Sequence, residues 1–195
     1  LPMEMKMLGH SSQEWNTILK DKTMLLLGGH HRGGTTLLWE MLKMHPEVSS
    51  FGTTFETGSD FSEGVFLQDV LPQFGIGSEG LQSTTGNTRI ENKGLGKYAL
   101  APETEVHWTE ENHSEGVTLE NRDRILNQWG YYWKANKGFQ PEKKIWMEKS
   151  PTNAVVSRFI QSLFDIGLGG EEQRPSRSKF VFLVRHPIAN AYAHR

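Results

Sequence analysis

The chain has 195 residues, of which 36 % are hydrophobic and 23 % charged, and its formal net charge is −2. That is enough chain for one domain with a sizeable core, and the composition is that of a globular protein rather than a disordered one. The near-balanced charge argues against a nucleic-acid-binding surface. The absence of cysteine excludes disulfides and cysteine metal sites, and no apolar run approaches the roughly 20 residues of a membrane span.

Residues 1–22 read as a polar N-terminal extension with scattered methionines and a short helix near Gln13–Leu19. No leader is visible at the start, and the chain opens with Leu1 rather than Met, which leaves a removed leader open. Thr23–Gly28 is a short apolar run ending in glycine and predicts a buried parallel strand. Thr35–Met44 predicts a helix, stopped by His45-Pro46. Val48–Phe51 reads as a second strand, and Glu63–Val70 as a helix ending before Pro72. Residues 75–118 carry recurrent glycines and an acidic stretch at 103–115, and predict long loops with one or two short helices. Arg122–Lys134 has apolar and aromatic residues at helical spacing. Ile145–Glu148 is a strand candidate, Thr152–Phe164 an amphipathic helix, and Lys179–Arg185 the strongest strand of all. Strands alternating with helices predict an α/β layered fold with a mainly parallel sheet. Ligands on such sheets bind beyond the carboxyl ends of the strands.

Three segments fall at such strand ends. The first, Gly28-Gly-His-His-Arg-Gly-Gly-Thr-Thr-Leu-Leu38, has the strand–glycine-rich turn–helix order that cradles phosphate. Its glycines let backbone N–H groups approach an anion, and the helix N-terminus adds its positive dipole end. Arg32 can bind phosphate or sulfonate oxygens with two parallel bonds, and Thr35 and Thr36 can donate hydroxyl bonds. No lysine follows Gly33 and Gly34, so this is not the G-x-x-x-x-G-K-[ST] loop of ordinary nucleoside triphosphatases, and a nucleotide kinase is disfavoured. The second segment is Glu148-Lys-Ser-Pro151, and the third places Arg185 at the end of the last strand, before a predicted helix.

Taken together, these segments resemble the sulfotransferases that use 3′-phosphoadenosine-5′-phosphosulfate (PAPS). RGGTTLL at 32–38 resembles their 5′-phosphosulfate loop, FLVRHP at 182–187 their 3′-phosphate motif, and Glu148–Pro151 their E-K-[ST]-P element. Glu63-Gly-Val-Phe-Leu-Gln-Asp-Val-Leu-Pro72 resembles a segment of a bacterial, plant and algal branch, and the whole is more distantly similar to tyrosylprotein sulfotransferases. The resemblance spans about residues 23–194. It implies a P-loop-like three-layer α/β fold, PAPS as donor and no metal. It also implies that members continue past the position of Arg195, so that 23–195 would be the N-terminal part of a catalytic domain, C-terminally incomplete.

Carried onto this sequence, the resemblance implies that His31, Arg32, Gly33, Gly34, Thr35, Thr36 and Leu37 surround the 5′-phosphate and sulfonate, and that Arg185 binds the 3′-phosphate. Ala193 stands where members have a second 3′-phosphate ligand, a serine, with Asn190 or His194 as substitutes for it. For the base that takes the acceptor's proton, Glu63 is preferred and Glu56 is the rival. His30 and His31 can serve as bases near neutral pH or shape the loop. Lys149 and Arg32 are the candidate cations for the transferring group, with Glu148 orienting Lys149. Trp129, Tyr132, Trp133 and Trp146 pack a core or line an acceptor pocket. The acceptor is a hydroxyl compound of open identity: a peptide tyrosine, a carbohydrate or a small molecule. Oligomeric state is open, a homo-oligomer included, and localisation is open between Golgi lumen and cytoplasm. The alternative is a non-catalytic, sulfotransferase-like binding or structural subunit.

Overall fold

The structure is a computed structural model that describes residues 7–52, 63–71, 109–134, 138–167 and 176–193. Helix α1 (Ser12–Leu19) opens on a capping box, in which the Ser11 hydroxyl accepts from the Glu14 N–H while the Glu14 carboxylate accepts from the Ser11 N–H. Such a cap contributes about 1 kcal/mol. Strand β1 (Thr23–Gly29) follows, then α2 (Thr35–Leu42) and β2 (Val48–Ser50). After α3 (Leu119–Tyr132) come β3 (Ile145–Lys149), α4 (Asn153–Asp165), β4 (Ser178–Leu183) and α5 (Pro187–Tyr192).

The four strands form one all-parallel sheet in the order β2-β3-β1-β4. Period-two alternation sends successive side chains to opposite faces, and both faces are covered. Leu25 and Leu27 of β1 and Ile145 and Met147 of β3 pack under Leu38, Trp39 and Leu42 of α2. On the other face Met24, Leu26 and Trp146 join Trp15 of α1, Ile125, Leu126, Trp129 and Tyr132 of α3, and Phe159, Ile160 and Leu163 of α4. The result is a three-layer α/β fold. Each of the larger apolar side chains buried there contributes about 1.5–3 kcal/mol relative to exposure. The aromatic set therefore belongs to the core: Trp129, Trp133 and Trp146 are each at most 1 % exposed. The residues before β1 join it as well, since Trp15 is fully buried and the Leu8 N–H donates to the Asn127 carbonyl (2.8 Å).

One predicted element differs. The helix expected over Glu63–Val70 is a single 3₁₀ turn, Gly64–Phe66, followed by irregular backbone. The cause is Gln68, fully buried, whose Nε2 donates to the carbonyls of Val65 and Leu71 while its Oε1 accepts from the N–H groups of Val70 and Leu71. A side chain that takes both backbone donors and acceptors replaces the helical ladder with a local turn. Of the loop expected over 75–118, residues 75–108 lie outside the described residues, and 109–118 holds one 3₁₀ turn, Ser114–Gly116. Among the described residues, no helix is long and apolar enough to cross a membrane.

Candidate active site

Because β1, β3 and β4 are parallel, their carboxyl ends share one edge of the sheet. Leu27 lies opposite Lys149 on β3, and Gly29 opposite Leu183 on β4. Strand β1 sits between them, and the chain leaves it through the glycine-rich loop. The Gly29 N–H donates to the Pro151 carbonyl (3.1 Å), which ties the start of this loop to the β3–α4 turn. Gly29 itself has φ 141°, and an added Cβ would lie 2.3 Å from the Leu183 carbonyl oxygen, so β4 can approach this closely only because the residue is glycine.

The loop then turns tightly, with the Gly33 N–H on the His30 carbonyl (2.9 Å). Arg32 has φ 61°, the one positive φ of a non-glycine residue among the described residues. That conformation costs a residue with a Cβ roughly 1–2 kcal/mol. Gly34 caps α2, and the first helical bond runs from Leu38 N–H to the Gly34 carbonyl (3.1 Å). The N–H groups of Thr35, Thr36 and Leu37 consequently have no acceptor within the helix. Arg32 and Thr36 are exposed, whereas His31 and Thr35 are buried. The Leu37 side chain turns to solvent, 68 % exposed, so only its backbone can serve an anion in the loop.

Arg185 comes to this loop from two residues past β4. Its Nη1 donates to the Arg32 carbonyl (3.0 Å), so the arginine past β4 meets the backbone of the glycine-rich loop. Ala193 is the C-cap of α5, half-buried, and has no hydroxyl to offer. On the same helix, Asn190 Oδ1 is buried without a hydrogen-bond partner.

The end of β3 supplies the third part. Lys149 Nζ donates to Glu63 Oε1 at 3.1 Å, and the two side chains are 0 % and 6 % exposed. The ammonium also lies 5.9 Å from the Trp39 ring centroid of α2. Of the two glutamates considered as base, Glu63 is thus the one placed on Lys149, while Glu56 lies outside the described residues, as does His194. Adjacent strand residues face opposite ways, and Glu148 accordingly engages a different set from Lys149. Its Oε1 accepts from the Gly64 N–H (2.8 Å) and the Ser150 hydroxyl, and its Oε2 accepts from Asn153 Nδ2 (2.5 Å). Burial drives its pKa up to about 7, with the Glu63 charge adding to the rise, against the bonds from Asn153, Ser150 and Gly64.

No family model, curated protein or solved structure matches this chain. The chemistry of the site therefore rests on its own geometry. One edge of the sheet carries a glycine-rich loop at a helix N-terminus, an arginine bonded to that loop, and a buried pair of Glu63 with Lys149. Among the described residues, no group of three or more histidine or acidic side chains is arranged to hold a metal. Sequence reading missed Ser150, Asn153 and Gln68, the side chains that anchor the segment bearing Glu63. The sequence signal for them was their place beside the motifs: Ser150 directly follows the Glu-Lys pair, Asn153 stands four residues after Lys149, and Gln68 five after Glu63.

Proposed function

We propose that the chain is the donor-binding part of a sulfotransferase that moves a sulfuryl group from PAPS to an acceptor hydroxyl. The observation that carries this reading is the bond from the Arg185 guanidinium to the Arg32 carbonyl. It joins the arginine of one anion motif to the glycine-rich loop of the other, across neighbouring strands of a parallel sheet. The donor set suits an anion with two separate phosphate groups: the N–H groups and hydroxyls of Thr35 and Thr36 with the Arg32 guanidinium for one, and Arg185 for the other. PAPS, when bound, supplies the activated sulfonate. An arginine kept at φ 61°, where glycine would be less strained, is a further argument that its guanidinium is used.

In this reading Glu63 takes the proton from the acceptor hydroxyl. Lys149 orients the carboxylate through its bond to Oε1 and brings a cationic group to the strand end, where negative charge develops. Glu63 keeps 6 % of its side chain open, and that is where an acceptor has to reach it. The burial of the pair, together with Ala193 in the serine position, favours the second reading, a sulfotransferase-like domain that binds the nucleotide without turning it over.

The first test is thermal stabilisation by 3′-phosphoadenosine-5′-phosphate, compared with ATP plus magnesium. Ligand at about 100 times its dissociation constant adds about 2.7 kcal/mol, a shift of a few degrees for a chain of this size. The expected result is a shift with the bisphosphate that Arg185→Ala abolishes. Stabilisation by magnesium–ATP alone would point instead to a phosphoryl-transfer enzyme, and no stabilisation by either would leave no nucleotide site at this sheet edge.

A further inference from the structure

The anchoring of Glu63 suggests a role for the neighbouring Glu148 that neither motif reading contains. Glu148 is fully buried, and three parts of the chain converge on its carboxyl group. From the 3₁₀ turn, the Gly64 N–H donates to Oε1 at 2.8 Å. From the β3–α4 turn, the Ser150 hydroxyl donates to the same oxygen, while Ser150 Oγ accepts from the Val65 N–H at 3.0 Å. From the first turn of α4, Asn153 Nδ2 donates to Oε2 at 2.5 Å and also to the Leu27 carbonyl of β1 at 2.9 Å. Leu27 lies in β1 directly before Gly28, where the glycine-rich segment begins. The chain of bonds thus runs from the loop's root, through Asn153 and Glu148, to the backbone immediately after Glu63.

The approach is close. A Cβ at Gly64 would lie 2.5 Å from Glu148 Cγ and 2.8 Å from the Phe51 ring, so the turn presses its backbone directly on the carboxyl group. The Trp129 indole N–H holds the other side of the turn through the Gly64 carbonyl (2.9 Å). A buried carboxyl with three donors is costly to keep in a core where apolar residues would pack without desolvation. Its retention calls for a use.

We propose that Glu148 is a positioning residue whose carboxyl group clamps residues 64 and 65 to the end of β1 and thereby seats Glu63 on Lys149. This rests on the proposed function only for the purpose it assigns to Glu63; the clamp itself is a claim about the folded chain. The charged group that acts on Glu148 among the described residues is Glu63 on the turn, while Lys149, next on the same strand, faces the other way and pairs with Glu63.

The test is a double-mutant cycle between Glu63 and Lys149 (E63Q, K149M and both), read from urea unfolding in three backgrounds. In the wild type the coupling should change the unfolding constant at least about tenfold. In E148Q, which keeps an oxygen for the Gly64 N–H, most of that coupling should survive. In E148L it should fall below about threefold. A merely structural glutamate would lower overall stability in E148L but leave the coupling unchanged, and that result would overturn the proposal. If E148L does not fold, S150A serves, because it removes the hydroxyl on Glu148 and the acceptor of the Val65 N–H together; its coupling should fall to an intermediate value, and an unchanged value again overturns the clamp. Binding of 3′-phosphoadenosine-5′-phosphate is measured on the wild type alongside. Coupling that depends on Glu148 in a protein that does not bind the bisphosphate sinks the functional reading and keeps the clamp; binding with coupling indifferent to Glu148 does the reverse.

Discussion

Lys149→Met keeps most of the apolar stem of the buried lysine and removes its ammonium group, which makes it the sharpest perturbation of the site. The pair it breaks is 3.1 Å apart, with side chains 0 % and 6 % exposed. At an effective dielectric constant near 20, attraction over that distance is about 5 kcal/mol, most of which offsets the desolvation of the two ions. Removing the ammonium takes the ion-pair partner from the buried Glu63 carboxylate, beside a second buried carboxyl group whose pKa it already raises. The expected loss at neutral pH is therefore about 3–5 kcal/mol. It would be read as a fall in the urea midpoint at unchanged slope. Replacing both partners with apolar residues, Glu63→Leu with Lys149→Met, should recover most of the loss, since apolar replacement of a whole buried pair is often neutral or stabilising. A loss below about 1 kcal/mol, the range of exposed pairs, would refute the claim that these charges meet in a dry site.

Glu148 binds its proton more tightly in the folded chain, at about 7 against 4.5, so its contribution to stability is complete below pH 4.5 and is lost as pH rises through 7. Stability should fall by about 3 kcal/mol between these limits, and Glu148→Gln should flatten that part of the profile when midpoints at pH 5 and pH 8 are compared. Gly29→Ala should destabilise by at least about 1–3 kcal/mol through overpacking, because its Cβ would press on the Leu183 carbonyl; amide exchange should quicken at the β1–β4 pairing before the β1–β3 pairing. Trp129→Phe removes the indole bond to the Gly64 carbonyl and should cost about 1 kcal/mol or somewhat more, the unpaired carbonyl being buried, in calorimetric unfolding.

Much of this architecture is legible in the sequence where burial imposes a period. Strand β1 is buried on both faces and reads as an apolar run, β3 opens on the apolar Ile145-Trp-Met147, and α4 shows its stripe of Val156, Phe159, Ile160 and Leu163. The tight turn of the glycine-rich loop was legible because close backbone approach demands glycine, as at Gly29 beside the Leu183 carbonyl. The strand order was not, since β1 pairs with β3 only after β2 and α3 have intervened. The segment at 63–70 has helix-forming residues in a plausible pattern, and only the buried Gln68 amide, bonding back to its own backbone, turns it into a knot of turns. The pairing of Lys149 with Glu63 joins residues 86 positions apart and has no local signal. Glu148 was expected to orient Lys149, but the alternation of a β-strand sends neighbouring side chains apart, and its bonds go to Gly64, Ser150 and Asn153 instead.

The central claim is that the loop at 28–36 and Arg185 together hold one nucleotide bearing phosphate at both its 5′ and 3′ positions. Isothermal titration of the wild-type chain with 3′-phosphoadenosine-5′-phosphate and with adenosine 5′-phosphate tests it directly. A charge-assisted bond to the 3′-phosphate is worth about 1.5–3 kcal/mol, so the account predicts that the bisphosphate binds at least about tenfold more tightly and that Arg185→Ala erases the difference. Equal affinities in the wild type, or an advantage that survives in Arg185→Ala, would contradict it.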